Sequence, residues 1–321
     1  MRVSKATASY TRWTRSHSVS DVTSRRHLTQ ARYFAIFLLV LVAVGNGVIR
    51  ELVTFSLGNA TASHVILVPF VTIALILSER DRIFSSTRPA VLVGVVVIVA
   101  GATLLLCGRL FSTDLVTDDR LSLSVAGLVV ASVGGFLLFF GTRAFRAASF
   151  PLLFLFFSAP IPTGVIDGMT FALKSGSAEA VAGLFSLTGT PYMRQGFVFS
   201  LPHLAIEIAD ECSGIRSSIG LVLTMLLGGY MSLNGVWAKG VLMLAVLPIA
   251  VLKNGLRIVT LTLLSMHVDP GFLDGQLHHD GGIVFFLIAL GMLAPVVFLL
   301  RRLELRATTA TADTEGSRDS R

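Results

Sequence analysis

Residues 89–108 read PAVLVGVVVIVAGATLLLCG, twenty positions without one charged side chain. As an α-helix this run rises ~30 Å, the thickness of a bilayer's hydrocarbon core. Its neighbours are built the same way. Of the 321 residues, 53% are apolar and 14% are charged, against roughly a quarter charged in a soluble domain. Mean hydropathy is +0.78. This excludes an ordinary soluble enzyme and predicts an all-α polytopic membrane protein. Two cysteines, Cys107 and Cys212, cannot build a disulfide framework, and their spacing matches no zinc or redox motif.

Working outward from residues 89–108, eight segments are apolar enough to be read as spans: Tyr33 to Ile49, Ser63 to Ser78, Pro89 to Gly108, Leu121 to Gly141, Ala148 to Ile161, Ser213 to Met231, Gly240 to Met266 and Gly282 to Leu300. The fifth is short. The seventh is long enough to project past the bilayer or to break at Pro248 or Gly255. Residues 1–32 carry Arg2, Lys5, Arg12, Arg15, Arg25, Arg26 and Arg32 against the single acid Asp21, and read as a disordered basic cytoplasmic tail. Placing that tail inside assigns every loop, and the positive-inside rule supports the result. Eighteen of the 26 basic residues then fall on inside segments; Arg50, Arg109, Arg120, Lys174, Arg194, Arg216, Lys253 and Arg257 fall outside or at outer helix ends. The net charge of +7 is thus a matter of topology, with membrane lipid and not nucleic acid as its partner. The membrane domain is expected over 33–300, followed by a second disordered cytoplasmic tail over 301–321.

Residues 162–211 form the longest connection, on the outer side. Ile166, Met169, Ala172, Leu173, Ala180, Leu184 and Leu187 recur at helical spacing among Asp167, Lys174 and Glu179, predicting a pair of re-entrant or amphipathic helices. Gly196 to Leu201 and Leu204 to Ile208, separated by Pro202 and His203, predict a β-hairpin. Together they make a small extracytoplasmic cap.

Ionisable residues at the edge of a membrane helix are costly and mark function. Three stretches concentrate them: Asp210-Glu211-Cys212-Ser213-Gly214-Ile215-Arg216, Lys253-Asn254-Gly255-Leu256-Arg257, and His278-His279-Asp280-Gly281-Gly282-Ile283. Cys212 ends the cap where a helix begins, so the positive helix terminus favours a thiolate nucleophile. Arg216 is one turn further on the same face and adds positive potential, while Asp210 and Glu211 oppose it. Cysteine also serves as a small hydrophobe, the role given to Cys107. Arg257 lies ~26 Å along a helix starting at Gly240, within reach of the outer interface. Asn254, three residues earlier, shares its face, and the pair offers donors for a carboxylate or an oxyanion. Alone, Arg257 would read as a side chain snorkelling to headgroups. His278 and His279 suit proton transfer. They point to different faces of a helix, so one is incidental, and their adjacency with Asp280 lacks the i, i+4 spacing of a helical metal site. No metal or other cofactor is expected.

The order C-S-G-I-R, then N-x-x-R, then H-x-x-x-G with Phe following resembles the exosortase/archaeosortase family of membrane cysteine transpeptidases. The likeness extends to Phe150-Pro151-Leu152-Leu153-Phe154-Leu155 with Pro160 and Pro162, to Leu187–Pro191 and to Arg194–Gly196, and spans roughly 33–300. It implies Cys212 as nucleophile, Arg257 as the essential arginine and His278 as the third member; a glycine register set on Gly281 would select His279 instead. Ile283 stands where the family usually has a bulky aromatic. The family's substrates are exported proteins ending in a tripartite sorting signal: a short motif, a membrane helix and a basic end. The new C-terminus passes to a surface glycan or lipid acceptor. Arg216, Asn254 and His279 are the expected substrate-binding residues. Two other classes fit less well. A membrane carrier would place its polar residues near mid-bilayer in broken helices. A non-peptidase component of surface polysaccharide assembly or export is the closer rival.

Overall fold

The computed structural model describes residues 28–110, 117–202, 204–269, 271 and 276–319, of which 60, 117, 211, 276–281 and 308–319 by backbone alone. The chain divides into two compact units, one ending at Thr163 and the other beginning at Gly164.

In the first unit, α1 (Leu28–Val44) and α2 (Asn46–Gly58) meet at a 72° bend around Gly45. They are followed by α3 (Leu67–Ser78), α4 (Arg80–Ile83), α5 (Val91–Leu110), α6 (Thr117–Ala147) and α7 (Ser149–Phe154). The α5–α6 hairpin is the unit's framework. Lipid tails are as apolar as leucine, so helices here associate by close packing and not by the hydrophobic effect. Small residues make that packing available. A methyl group at Gly94 would sit 2.6 Å from the Leu138 Cα, one at Gly101 2.5 Å from the Ala131 nitrogen, and one at Gly127 2.6 Å from the Leu105 nitrogen. The two backbones therefore touch along a seam that no larger side chain fits. α6 breaks at Gly141, whose φ of 83° suits glycine alone. Beside the seam Phe34 meets Phe136 and Phe140 edge to face, and Phe140 packs at a tilt on Phe84 and Phe136.

In the second unit, α8 (Thr163–Leu187) leads into a three-stranded antiparallel sheet, β1 (Met193–Gln195), β2 (Val198–Leu201) and β3 (Leu204–Glu207), with β2 in the middle. A turn of 3₁₀-helix (Asp210–Ser213) then leads to α9 (Ile215–Ser232), α10 (Val236–His267) and α11 (Gln276–Asp319). Ala178, Val181 and Phe185 of α8 pack on Phe199, Leu201 and Ile208 of the cap and on Val259 of α10. Leu221 and Met225, Leu242, Val246 and Ala250, and Ala289 and Leu293 make the core of the α9–α10–α11 bundle. At one end of this bundle Glu304 accepts hydrogen bonds from the backbone of Asn234 and Gly235, at 3.0 and 2.6 Å. It thereby caps the open amides that start α10.

The fold is an all-α polytopic membrane protein with a small sheet. Five helices are long and apolar enough to cross a bilayer, or up to seven if each of two bent pairs is one span. The five are α5, α6, α9, α10 and the part of α11 over Gly282–Ala307. The remaining expected spans fall on the bent α1–α2 pair, on the 12-residue α3 and on α7 with its following 3₁₀ turn. α10 stays helical through Pro248 and Gly255. Three details differ from expectation. The amphipathic part of the cap is one continuous helix of 25 residues, not a pair, because nothing between Thr163 and Leu187 breaks the ladder. The hairpin gains a third strand, β1, through Arg194 opposite Phe199. α11 continues to Asp319, well beyond the apolar run.

Candidate active site

Cys212 occupies the 3₁₀ turn between β3 and α9, with its amide donating to the Ala209 carbonyl at 3.0 Å. The chain then reverses through Gly214, at φ 77° and ψ 14°, into α9. Glycine is the residue for this left-handed position, and a methyl group there would meet the Asn254 Oδ1 at 2.7 Å. Strand, turn and left-handed glycine together hold the half-buried thiol at a sharp corner near the amide end of a helix.

Asn254 braces that corner. It is completely buried, and its Nδ2 donates to the Cys212 carbonyl at 2.8 Å and to the Ser177 Oγ at 2.9 Å. Both amide protons are spent inside the protein. Asn254 therefore joins α8, the cysteine turn and α10, and has no donor left for a substrate. Its Oδ1, facing Gly214, has no hydrogen-bond partner among the described residues.

Arg257, one turn further along α10, shares a cavity of about 220 Å³ with Cys212; the other walls are Ala205, Ile206, Glu207, Ile208, Ile258, Leu261 and Thr262. Cys212 and Arg257 thus border one space. Lys253 is 2% exposed and its ammonium donates to the Ser217 hydroxyl. Lys253 and Arg257 stand one turn apart on α10, and of the two only Arg257 lines the cavity, together with the acid Glu207. Asp210, two residues before Cys212, is paired with Lys174 at 3.0 Å; the side chain of Glu211, next to the cysteine, falls outside the described residues. Lys174 also lies 4.6 Å from the Phe197 ring centre. Arg194 bonds Glu179 at 2.9 Å and stacks on Phe199, tying the sheet to α8.

Arg216 is exposed on the first turn of α9 and does not line the cavity. His278 and His279 lie in the first turn of α11, and their side chains fall outside the described residues. Their level along the bundle is nonetheless defined by the backbone. Gly235 and Glu304 touch, and α10 and α11 run in opposite directions from that contact. Counting about 22 residues along each, Arg257 and Gly282 stand at the same height, ~33 Å from it. His278 is about one further turn beyond that level, toward the same end of the bundle as Cys212.

Sequence reasoning missed three participants. Ser177 and Ser217 are ordinary helix serines until the fold brings Asn254 and Lys253 to them. The backbone edge of β3 carries no residue-type signal.

A family model for transmembrane exosortases matches residues 56–295, well over half of the chain. The chain belongs to the transmembrane exosortase family. No curated protein and no solved structure matches it.

Proposed function

We propose that this protein is a membrane-embedded cysteine transpeptidase that cleaves the C-terminal sorting signal of exported proteins, with Cys212 as nucleophile. The observation that carries this reading is the single cavity bordered by Cys212 and Arg257 at the end of β3. Cys212 thiolate attacks a substrate carbonyl carbon, and the carbonyl electrons move onto oxygen. Arg257 supplies the fork of donors that stabilises that oxyanion. Collapse of the intermediate breaks the C–N bond, and the departing amine takes a proton from His278. A thioacyl enzyme and a free C-terminal membrane peptide result. The histidine then takes a proton from the acceptor, whose attack on the thioester restores the thiol. A glycan or lipid acceptor gives transfer, and water gives proteolysis.

Arg257, on the same cavity as Cys212, favours this chemistry by adding positive potential beside the sulfur, and Asp210 is neutralised by Lys174, while Glu207 on the cavity wall opposes them. The site is assigned to the extracytoplasmic side of the inner membrane from the positive-inside count.

The test is the intact mass of a candidate substrate, a protein of the same genome ending in a short motif, an apolar helix and a basic cluster. Cells carrying the wild-type chain are expected to yield a shortened protein bearing an added group. Cells carrying Cys212→Ala are expected to yield the full-length one. Shortening that persists in Cys212→Ala overturns the proposal.

A further inference from the structure

We infer that the free edge of β3 is the docking strand for the substrate, which binds as an extended peptide added to the sheet as a fourth strand and led to Cys212. This rests on the transpeptidase reading and specifies how its substrate is held.

The argument begins with the sheet order. β1 and β3 flank β2, so among the described residues β3 has a neighbour on one side only. The ladder's phase then fixes which backbone groups face outward. The Ile208 amide donates to the Phe197 carbonyl at 3.0 Å, making 197 and 208 a hydrogen-bonded pair. Such pairs alternate along an antiparallel ladder, so with Phe199 opposite Ile206 and Leu201 opposite Leu204, residues 204, 206 and 208 direct their amides and carbonyls into the sheet. Ala205 and Glu207 direct theirs to the open edge. Two amides and two carbonyls at a strand's two-residue repeat are the recognition surface for an added strand.

The cavity containing Cys212 lies along this edge. Ala205, Ile206, Glu207 and Ile208, four consecutive residues, all line it. Side chains of a strand alternate between faces, so one space reached by four in succession is viewing the strand edge-on. β3 then runs through Ala209, itself extended at φ −71° and ψ 167°, directly into the cysteine turn. A peptide paired with Ala205 and Glu207 is therefore aimed along the chain toward the thiol, with Arg257 on the same cavity. Ile206, Ile258 and Leu261 give that cavity an apolar wall. A substrate residue opposite Ile206 turns its side chain to this wall, while its neighbours bond to the edge. The occupant is thus an extended segment with an apolar residue at that register, recognised mostly through its main chain.

The test uses full-length protein and a reporter ending in a short motif, an apolar helix and a basic cluster taken from a protein of the same genome. Ala205→Pro deletes one outward amide and leaves the β2 ladder intact, since proline is accepted on an edge strand with its nitrogen facing out. Cleavage is expected to fall about tenfold or more, while Cys212 is alkylated by maleimide at the wild-type rate. Equal cleavage overturns the inference. A second measurement needs no catalysis. In a chain with Cys107→Ala, Cys212→Ala and Glu207→Cys, disulfide cross-links to single reporter cysteines are expected at every second position along the motif. Cross-links at all positions alike, or at none, overturn the inference. Cleavage that survives Cys212→Ala overturns the transpeptidase reading by itself, and the cross-linking pattern still decides the docking strand.

Discussion

The side-chain amide of Asn254 donates 2.8 Å to the main-chain carbonyl of Cys212, not to its sulfur. The contact fixes where the cysteine turn sits on α10 and leaves the thiol free. Asn254→Leu removes it together with the Ser177 bond, stranding a buried carbonyl, at a cost of ~1–3 kcal/mol. Asn254→Asp, of equal size, sets an anionic oxygen against the same carbonyl. Both variants are expected to melt lower in detergent and to lose processing. Melting at the wild-type temperature would show that the brace is dispensable.

Arg257→Lys keeps the charge and loses the planar fork. If Arg257 holds the oxyanion, turnover of a synthetic motif peptide falls about 10²-fold or more, with KM little changed. A rise in KM at constant kcat would instead make Arg257 a substrate-binding group.

Gly214→Ala forces a side chain into a left-handed position and against the Asn254 Oδ1. A loss of ~1–3 kcal/mol is expected from the strained backbone. Slower maleimide modification of Cys212 should accompany it as the corner shifts. Unchanged stability and unchanged labelling would mean that the turn relaxes freely.

Gly101→Leu drives a side chain into the α6 backbone, and folded yield should collapse, as expected when overpacking costs about 3 kcal/mol. Gly47→Ala is the control, because nothing lies within 4 Å of a methyl group there. Monodisperse Gly101→Leu on size exclusion would dismiss the glycine seam as a structural requirement.

What the sequence made legible followed from long-range solvent preference and from residue chemistry. The uncharged run at 89–108 predicts α5, and the alternation around Pro202 predicts the β2–β3 hairpin, because each signal is local. Cys212 and Arg257 were singled out by chemical type, and the fold brings them to one cavity. The 72° bend at Gly45 was not legible, since a glycine in an apolar run reads equally well as a packing site. The bonding of Asn254 inside the protein was not legible for a related reason. Its amide looks the same in sequence whether its protons go to a substrate or to the Cys212 carbonyl. Arg216 shares a helical face with Cys212 on paper, but the thiol lies in a 3₁₀ turn before α9 begins, so the one-turn spacing does not carry across.

The carboxylate of Glu304 fastens the Asn234–Gly235 loop at the end of the second unit's helices remote from the thiol. One carboxylate on α11 thus ties down the loop that joins α9 to α10, so that all three helices of the bundle are tethered at an end ~33 Å from Arg257.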